Sequence, residues 1–226
     1  MNNNFKMIAK TFFGMEEVLK EELISLGGQN VECGNRLVSF YGDKGFMYKT
    51  NLCLRTALRI LVPIYTFYAN SYDDLYNELN KYDWNKYLDL SNTFLFDSVV
   101  TGNIFRHSLY VSQKAKDALV DSFYSRENDR PNVDLEYPDI RFHIHIRENK
   151  CTLLVDSSGE SLHKRGYRVS SDIAPINEVL AAGIINLSGW DKSTDFLDPM
   201  CGSGTFLIEY KCNVTSIRNI RSKKKY

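Results

Sequence analysis

The chain has 226 residues, of which 43% are hydrophobic and 25% charged, and its 28 basic residues balance 28 acidic ones. This length and composition fit one large globular domain or two to three small ones, and they exclude collagen-like, coiled-coil and wholly disordered chains. No apolar stretch reaches the ~18 residues that a membrane-spanning helix needs, and the N-terminus lacks the apolar segment of a secretory signal.

Cysteine and histidine usage points to a reduced compartment and to no metal. Five cysteines lie far apart and form no Cys-x-x-Cys pair, which is typical of a cytoplasmic protein and argues against a disulfide scaffold or a zinc ribbon. His143 and His145 share one face of a predicted strand, but no cysteine or carboxylate at matching spacing supports a metal site. The sequence therefore predicts a cytoplasmic protein without a bound metal.

Residues 1–68 alternate short apolar segments with helical patterns. This order of elements is typical of a ferredoxin-like α+β domain, which we expect to span residues 1–68. The predicted elements are a strand over 5–13, a helix over 14–26 ended by Gly27 and Gly28, a strand pair over 31–41 around Gly34 and Asn35, a helix over 44–57 and a strand over 59–68.

The hydrophobic pattern over residues 69–157 predicts a second α+β region. Apolar residues at 140, 142, 144 and 146 alternate with polar neighbours, as in a half-buried strand, and 151–156 is the expected hairpin partner. The polar, proline-bearing stretch 125–138 predicts a loop. The other predicted elements are a helix over 71–84 capped by Ser71, a strand over 93–101 and a helix over 108–124.

After residue 158 a polar connector leads to a predicted helix over 175–187, a strand over 196–198 and a helix beginning at Thr205. The residues between the last two elements read Asp-Pro-Met-Cys-Gly-Ser-Gly, from 198 to 204. A glycine turn between a strand and a helix is where open α/β sheets bind nucleotides, because glycine permits close approach and the helix start offers free N–H groups. The third glycine of a dinucleotide fingerprint and the Gly-Lys-Ser/Thr of a Walker loop are absent.

The segment DPMCGSGTFLIE resembles the first motif of class I methyltransferases that use S-adenosyl-L-methionine (SAM), in the form found in RNA guanine-N2 methyltransferases of bacterial large-subunit ribosomal RNA. Upstream, SGESLHKRGYR at 158–168 is similar to the family's connector, and APINE at 174–178 to its next helix start. Residues 130–141 are similar to the end of a THUMP domain, an RNA-binding module. These matches follow the family's order and cover most of the chain up to about residue 210.

The resemblance implies an α+β N-terminal half, with a ferredoxin-like domain and a THUMP domain over 69–157, and then an incomplete α/β Rossmann-like methyltransferase domain over 158–226. It also implies that the methionine part of SAM lies against the glycine turn. Glu178 is equally compatible with a solvated acid in a first helical turn, and Cys201 with a small loop residue that is not a nucleophile. The residues that the resemblance assigns to cofactor binding are Asp198, Pro199, Cys201, Gly202, Ser203, Gly204, Thr205, Asn177 and Glu178.

Local charge, rather than the neutral total, points to RNA. Between Arg141 and Arg168 six basic residues accompany three acidic ones, and basic side chains neutralise RNA phosphates. A solvated basic face is the alternative, but the THUMP resemblance favours RNA, with 23S ribosomal RNA as the implied partner. The residues expected to contact RNA, by charge or by stacking on unpaired bases, are Arg141, His163, Lys164, Arg165, Tyr167 and Arg168.

The family places two further features downstream of its first motif: an acid that binds the cofactor ribose, and an Asn/Asp-Pro-Pro-Tyr loop that binds the target amine. The five prolines include no adjacent pair, and the 56 residues after Ser170 are fewer than the ~150 that seven β-α units need. Because residues 210–215 are poor in helix formers, we expect the resemblance to stop near residue 210, through a truncation such as a frameshift. We therefore expect no catalytic residue in this chain and weak or lost SAM binding.

Three functions remain open on the sequence. The first is membership of the ribosomal RNA methyltransferases, which transfer a methyl group from SAM to an exocyclic amine of a guanine in large-subunit ribosomal RNA. The second is a catalytically inactive RNA-binding THUMP fragment. The third is a relative of DNA or RNA adenine amino-methyltransferases, since the first motif is shared among them, but the RNA-type region upstream disfavours it.

Overall fold

A computed structural model describes residues 4–168, 175–191 and 193–215. The chain divides into two compact units, of which the first joins residues 1–60 to 160–226 and the second comprises 61–159. No helix in the described ranges is long and apolar enough to cross a membrane. In chain order the helices and strands are β1 (Phe5–Lys10), α1 (Glu16–Leu26), β2 (Gln29–Gly34), β3 (Leu37–Gly42), α2 (Lys44–Cys53), β4 (Arg59–Tyr68), α3 (Tyr72–Asn80), a 3-10 helix (Trp84–Lys86), β5 (Thr93–Thr101), α4 (Ser108–Glu127), β6 (Asn132–Val133), β7 (Ile140–Arg147), β8 (Lys150–Asp156), α5 (Glu178–Leu187) and α6 (Thr205–Thr215).

In the first unit, β3 lies between β1 and β2 and is antiparallel to both. Apolar side chains from one face of these strands, including Met7 and Phe40, are fully buried together with Leu19 and Leu23 of α1. These alternating strands and helices confirm the ferredoxin-like α+β fold that the sequence predicts for the N-terminal region.

Two helix boundaries in this region differ from prediction for local reasons. Gly14 has a φ of 84°, which is outside the helical range, so α1 begins at Glu16 rather than at residue 14. Helix α2 ends at Cys53 rather than at residue 57. The carboxylate of Glu22 accepts hydrogen bonds from the backbone N–H groups of Arg55 and Thr56, at 2.6 and 3.1 Å, and these amides are then unavailable to a helix.

The second unit contains the strand order β4-β8-β7-β5-β6. Strand β8 is antiparallel to β4 and to β7, whereas β5 is parallel to β7 and to β6. The alternation predicted for β7 is confirmed, because Phe142, Ile144 and Ile146 are at most 1% exposed. Their side chains join a core that includes the fully buried Trp84 and the α4 stripe ending at Phe123.

Two elements of the second unit correct the sequence prediction. Helix α3 is capped by Ser71, as predicted, but it ends at Asn80 and not at residue 84. The buried Trp84 starts a separate 3-10 helix, and its indole N–H donates to the carbonyl of Leu79 at 2.9 Å. The loop predicted over 125–138 contains the two-residue strand β6, parallel to β5, which is too short to show an alternation pattern.

The C-terminal part of the first unit contains helices α5 and α6, which pack against each other. Helix α5 begins at Glu178 rather than at Pro175, because Asn177 has extended backbone and caps the helix through the N–H of Val179 at 2.9 Å. The strand predicted over 196–198 is wrong, since these residues form no β-pairing with any described segment. Helix α6 continues to Thr215, so the low helix propensity of residues 210–215 does not end it.

Candidate functional site

The glycine turn predicted to bind a cofactor forms an ordered loop, residues 198–204, that leads into α6. Oδ1 of Asp198 accepts the backbone N–H of Met200 at 3.1 Å, and the N–H of Gly204 donates to the carbonyl of Cys201 at 2.7 Å. Gly202 and Gly204 have φ values of 50° and 72°, in the left-handed region that favours glycine. The two glycines therefore fix the path of the loop, and residues 199–203 are exposed along it.

The loop has the properties that the methionine part of SAM, with its carboxylate and its ammonium group, requires. No described atom lies within 4 Å of the position that a Cβ would take at Gly202 or Gly204, so a ligand can approach the backbone closely. Oδ2 of Asp198 is buried without a hydrogen-bond partner among the described residues, and a carboxylate oxygen is a suitable acceptor for an ammonium group. The first turn of α6 offers free N–H groups and a positive dipole end to a carboxylate. The residues of this loop and the start of α6 therefore fit the methionine part of SAM.

The start of α5 lies beside this loop and is held by an arginine of the connector. Glu178 is 5% exposed, and its carboxylate accepts the Nε–H of Arg168 at 2.6 Å. The alternative that Glu178 is a solvated first-turn acid is therefore wrong. The same guanidinium donates to the carbonyl of Ile176 at 3.0 Å and to Oγ1 of Thr205 at 2.9 Å, and it reaches Oγ of Ser203 at 3.5 Å. Arg168 thus connects the first turn of α5 with the start of α6.

A second cluster, which the sequence analysis missed, surrounds Glu209 of α6. Its carboxylate is fully buried and accepts hydrogen bonds from Arg165 at 2.7 Å, from Tyr167 at 3.0 Å and from Arg55 at 3.3 Å. Burial from water raises the pKa of Tyr167, and the neighbouring Glu209 carboxylate adds to this shift. Nothing in the local spacing could reveal the cluster, because Arg55 and Glu209 are 154 residues apart in the chain.

The predicted RNA-contacting residues of the connector differ in exposure. Lys164 is exposed, whereas Arg165 is 3% exposed and paired with Glu209, which leaves its guanidinium no surface for a macromolecule. Tyr167 and Arg168 are half-buried through their bonds to Glu209 and Glu178. Burial lowers the pKa of His163, so this half-buried ring is mainly neutral at pH 7 and adds little charge for phosphate binding.

A cavity of about 410 Å³ lies between this connector and the start of α5. Basic side chains contribute much of its wall, and Glu178 contributes one acidic group. The lining residues are His163, Lys164, Arg165, Gly166, Arg168, Pro175, Ile176, Asn177 and Glu178. The cavity thus adjoins the contacts by which Arg168 holds α5, and it brings the predicted RNA residues of the connector next to the predicted cofactor residues of α5.

In the second unit, Arg141 lies on β7 and pairs with Asp97 of the neighbouring β5 at 2.8 Å, and its side chain is 17% exposed. A separate cavity of about 560 Å³ borders α4 and β6. Lys114, Lys116 and Arg130 line it beside the ring of Tyr76, a group of basic residues that the sequence analysis did not select. Asp117 and Asp121 lie among them, so the excess of positive charge there is small.

Metal ligands and disulfides are absent from the described ranges. No group of three or more His, Cys, Asp or Glu residues there could hold a metal ion. The five cysteines are free, with Cys33 and Cys201 exposed and Cys151 buried.

Three family models match consecutive parts of the chain. They are described as the RlmL ferredoxin-like domain, over residues 6–61, the THUMP domain, over 69–156, and the RMKL-like methyltransferase domain, over 165–225. The last match continues to residue 225, so the expectation that the resemblance stops near residue 210 is wrong. The premise of that expectation is also wrong, since helix α6 passes through residue 210 without interruption.

Known proteins resemble the chain over most of its length. A protein from Desulfotalea psychrophila named ribosomal RNA large subunit methyltransferase K/L is 41% identical over 92% of this chain and 29% of its own length. A structure of SMU.472 complexed with S-adenosylhomocysteine (SAH) is 30% identical, with a TM-score of 0.82 over 97% of this chain and 58% of that one. A structure from Listeria monocytogenes, described as a predicted N6-adenine-specific DNA methylase, is 28% identical, with a TM-score of 0.83 over 96% and 57%. The chain spans less than a third of the length of the first of these relatives.

Proposed function

This chain belongs to the THUMP-domain-containing class I methyltransferases, and we propose that it acts in the SAM-dependent methylation of a guanine exocyclic amine in 23S ribosomal RNA, in the cytoplasm. The observation that carries the proposal is the glycine loop at 198–204, with an unpaired buried oxygen on Asp198 and the start of α6 behind it. We further assign residues 1–68 to the ferredoxin-like domain, 69–157 to the THUMP domain and 158–226 to the methyltransferase domain.

In this proposal the cofactor supplies an electrophilic methyl group, and the residues of this chain bind and orient it. Asp198 would accept a hydrogen bond from the ammonium group of the methionine part, and the N–H groups at the start of α6 would bind its carboxylate. Gly202 and Gly204 allow the close approach. The rest of the predicted set, which shapes the loop and the adjoining start of α5, is Pro199, Cys201, Ser203, Thr205, Asn177 and Glu178.

RNA contact is proposed through exposed basic residues rather than through every basic residue of the connector. Lys164 is the connector cation most open to solvent, and phosphate neutralisation needs accessible charge. In the THUMP region, Lys114, Lys116 and Arg130 line a cavity that also presents the ring of Tyr76, and the side chain of Arg141 is 17% exposed. Cations beside an aromatic ring are a common arrangement for single-stranded RNA.

The cofactor part is tested by titrating isotope-labelled chain with SAH and following backbone amide shifts, a method that also measures weak binding. We expect saturable shifts at residues 198–206. Asp198→Asn should weaken binding about tenfold, the equivalent of one charge-assisted hydrogen bond. Asp195→Asn is the matched control, because Asp195 is an exposed neighbour in the chain and should leave the affinity unchanged. Shifts spread evenly over the chain, or none at all, would contradict the cofactor assignment.

The RNA part is tested by measuring the binding of 23S ribosomal RNA fragments at several salt concentrations. We expect affinity to fall steeply with salt, and Lys164→Ala to reduce the slope of log affinity against log salt by about one unit. RNA binding without any SAH binding would favour the inactive RNA-binding module instead.

The DNA amino-methyltransferase alternative has one observation in its favour, the similarity to the Listeria structure described as an adenine-specific DNA methylase. A preference for DNA or for RNA distinguishes this candidate from the ribosomal RNA methyltransferase. Tighter binding of duplex DNA than of RNA at the same salt concentration would support the DNA candidate, and the opposite order would support the ribosomal RNA candidate.

A further inference from the structure

We propose that Arg168 is a positioning residue for the cofactor loop, and not an RNA ligand as its charge predicts. This inference rests on the proposed function, since it takes the loop at 198–204 as the binding element for SAM. Its basis is that one guanidinium contacts both structural elements on which the proposed cofactor site is built.

The hydrogen bonds of Arg168 depend on the planar, branched shape of its guanidinium group. Its Nε–H meets the Glu178 carboxylate at 2.6 Å, and Nη2 donates both to the carbonyl of Ile176 at 3.0 Å and to Oγ1 of Thr205 at 2.9 Å. Nη1 lies 3.5 Å from Oγ of Ser203. These partners belong to two segments of the chain, the start of α5 and the junction of the loop with α6. A lysine cannot serve the same set, because its ammonium is a single point charge.

These bonds fix the part of the loop that the proposed function uses. Thr205 is the first residue of α6 and is 2% exposed, so its bond with Arg168 holds the N-terminal turn of that helix in place. Glu178, also buried, neutralises the arginine at the other end. With its charge paired to Glu178 and its Nε and Nη2 donors engaged, Arg168 has less to offer an RNA phosphate than Lys164, which is exposed and lies in the same connector.

The test compares three variants of the full chain. Arg168→Lys keeps the positive charge and removes the fork, Thr205→Val removes the acceptor on α6, and Lys164→Gln is the matched control on the exposed side of the connector. The measurements are SAH affinity from amide shifts, RNA affinity at several salt concentrations, and hydrogen exchange of the amides of residues 203–208.

We expect Arg168→Lys to weaken SAH binding about tenfold and to speed exchange at 203–208, with RNA affinity and its salt dependence unchanged. Thr205→Val should speed hydrogen exchange of the same amides. The double variant should exchange little faster than Arg168→Lys alone, since both substitutions break the same bond between Arg168 and Thr205. Lys164→Gln should show the reverse pattern, with weaker RNA binding and unchanged SAH binding and exchange.

The inference is overturned if Arg168→Lys leaves exchange at 203–208 as in the unmodified chain, or if it speeds exchange throughout the first unit to the same extent, which would mean a general structural role. It is also overturned if RNA affinity falls while SAH affinity holds. If the unmodified chain binds no SAH, the proposed function fails at this loop, and the exchange measurement alone then decides whether Arg168 holds the loop.

Discussion

At the scale of single residues, burial decides what each charged side chain of the connector does. Arg165 and Lys164 are adjacent in the chain, yet Arg165 is 3% exposed and bonds Glu209, whereas Lys164 faces solvent. A charge moved out of water is tolerated only when it is paired and hydrogen-bonded. The Glu209 carboxylate satisfies this condition for Arg165 and, at 3.3 Å, for Arg55. The cluster therefore joins α6 to the connector and to Arg55, although it has no expected part in the chemistry.

We predict that Glu209→Gln destabilises the first unit by about 3–5 kcal/mol, because it removes the carboxylate charge that pairs with the largely buried guanidinium groups of Arg165 and Arg55. Urea unfolding followed by far-UV circular dichroism measures the change. Glu21→Gln, an exposed carboxylate on α1, is the control and should shift the free energy of unfolding by less than about 0.5 kcal/mol. Equal effects of the two substitutions would mean that the Glu209 cluster contributes nothing specific.

A second residue-scale prediction concerns thiol reactivity. Burial raises the pKa of the Cys151 thiol to about 12, so roughly one molecule in ten thousand carries the reactive thiolate there at pH 8. Cys33 and Cys201 are exposed and should react with Ellman's reagent within minutes, whereas Cys151 should react only when the chain unfolds. Peptide mass spectrometry assigns the sites, and modification of all five thiols in 6 M guanidinium is the control. Labelling of Cys151 as fast as Cys201 would contradict its burial.

At the scale of elements, sequence patterns predict what depends on neighbours along the chain. The alternation in β7 and the cap at Ser71 involve residues within a few positions, and both are confirmed. The end of α2 depends instead on Glu22, more than 30 residues earlier in the chain, and no local pattern carries that information. The same limit applies to Arg165 and Arg168, because their carboxylate partners, Glu209 and Glu178, lie on later helices.

The contact between α1 and α5 gives a prediction at this scale. A Cβ added at Gly183 of α5 would lie 2.5 Å from Sδ of Met15, so the close packing depends on the absence of a side chain. Gly183→Val should destabilise the chain by about 1–3 kcal/mol through overpacking. Combining it with Met15→Ala should cost less than the sum of the two single changes, because the smaller residue gives the valine room.

Urea unfolding of the four chains in this cycle measures the coupling between α1 and α5. Ile184→Val, a change at a more exposed position of α5, is the control and should alter stability by less than about 0.5 kcal/mol. Strict additivity of Gly183→Val and Met15→Ala would show that the two helices do not restrict each other at this point.

At the scale of the whole molecule, one of the two compact units is built from two segments that are separated in sequence by the other unit. Residues 1–60 form one unit with residues 160–226, and the intervening residues 61–159 form the other. Contacts of Glu209 with Arg55, and of Gly183 with Met15, belong to the first unit and join segments far apart in sequence. The second unit is continuous and has its own aromatic core.

This division predicts that residues 61–159 fold when produced alone, whereas residues 1–60 alone do not. The second unit buries Trp84, Phe94 and Phe142 completely, which is the kind of core that an independent domain needs. A 60-residue piece is marginal even when complete, and residues 1–60 would also lack Glu209, the partner that pairs with Arg55. Cooperative urea unfolding and a near-UV circular dichroism signal are expected for 61–159 only. Trp84→Ala in that fragment should cost about 3–5 kcal/mol and abolish the transition; if instead 61–159 unfolds without cooperativity while the full chain is cooperative, its core depends on residues outside the unit.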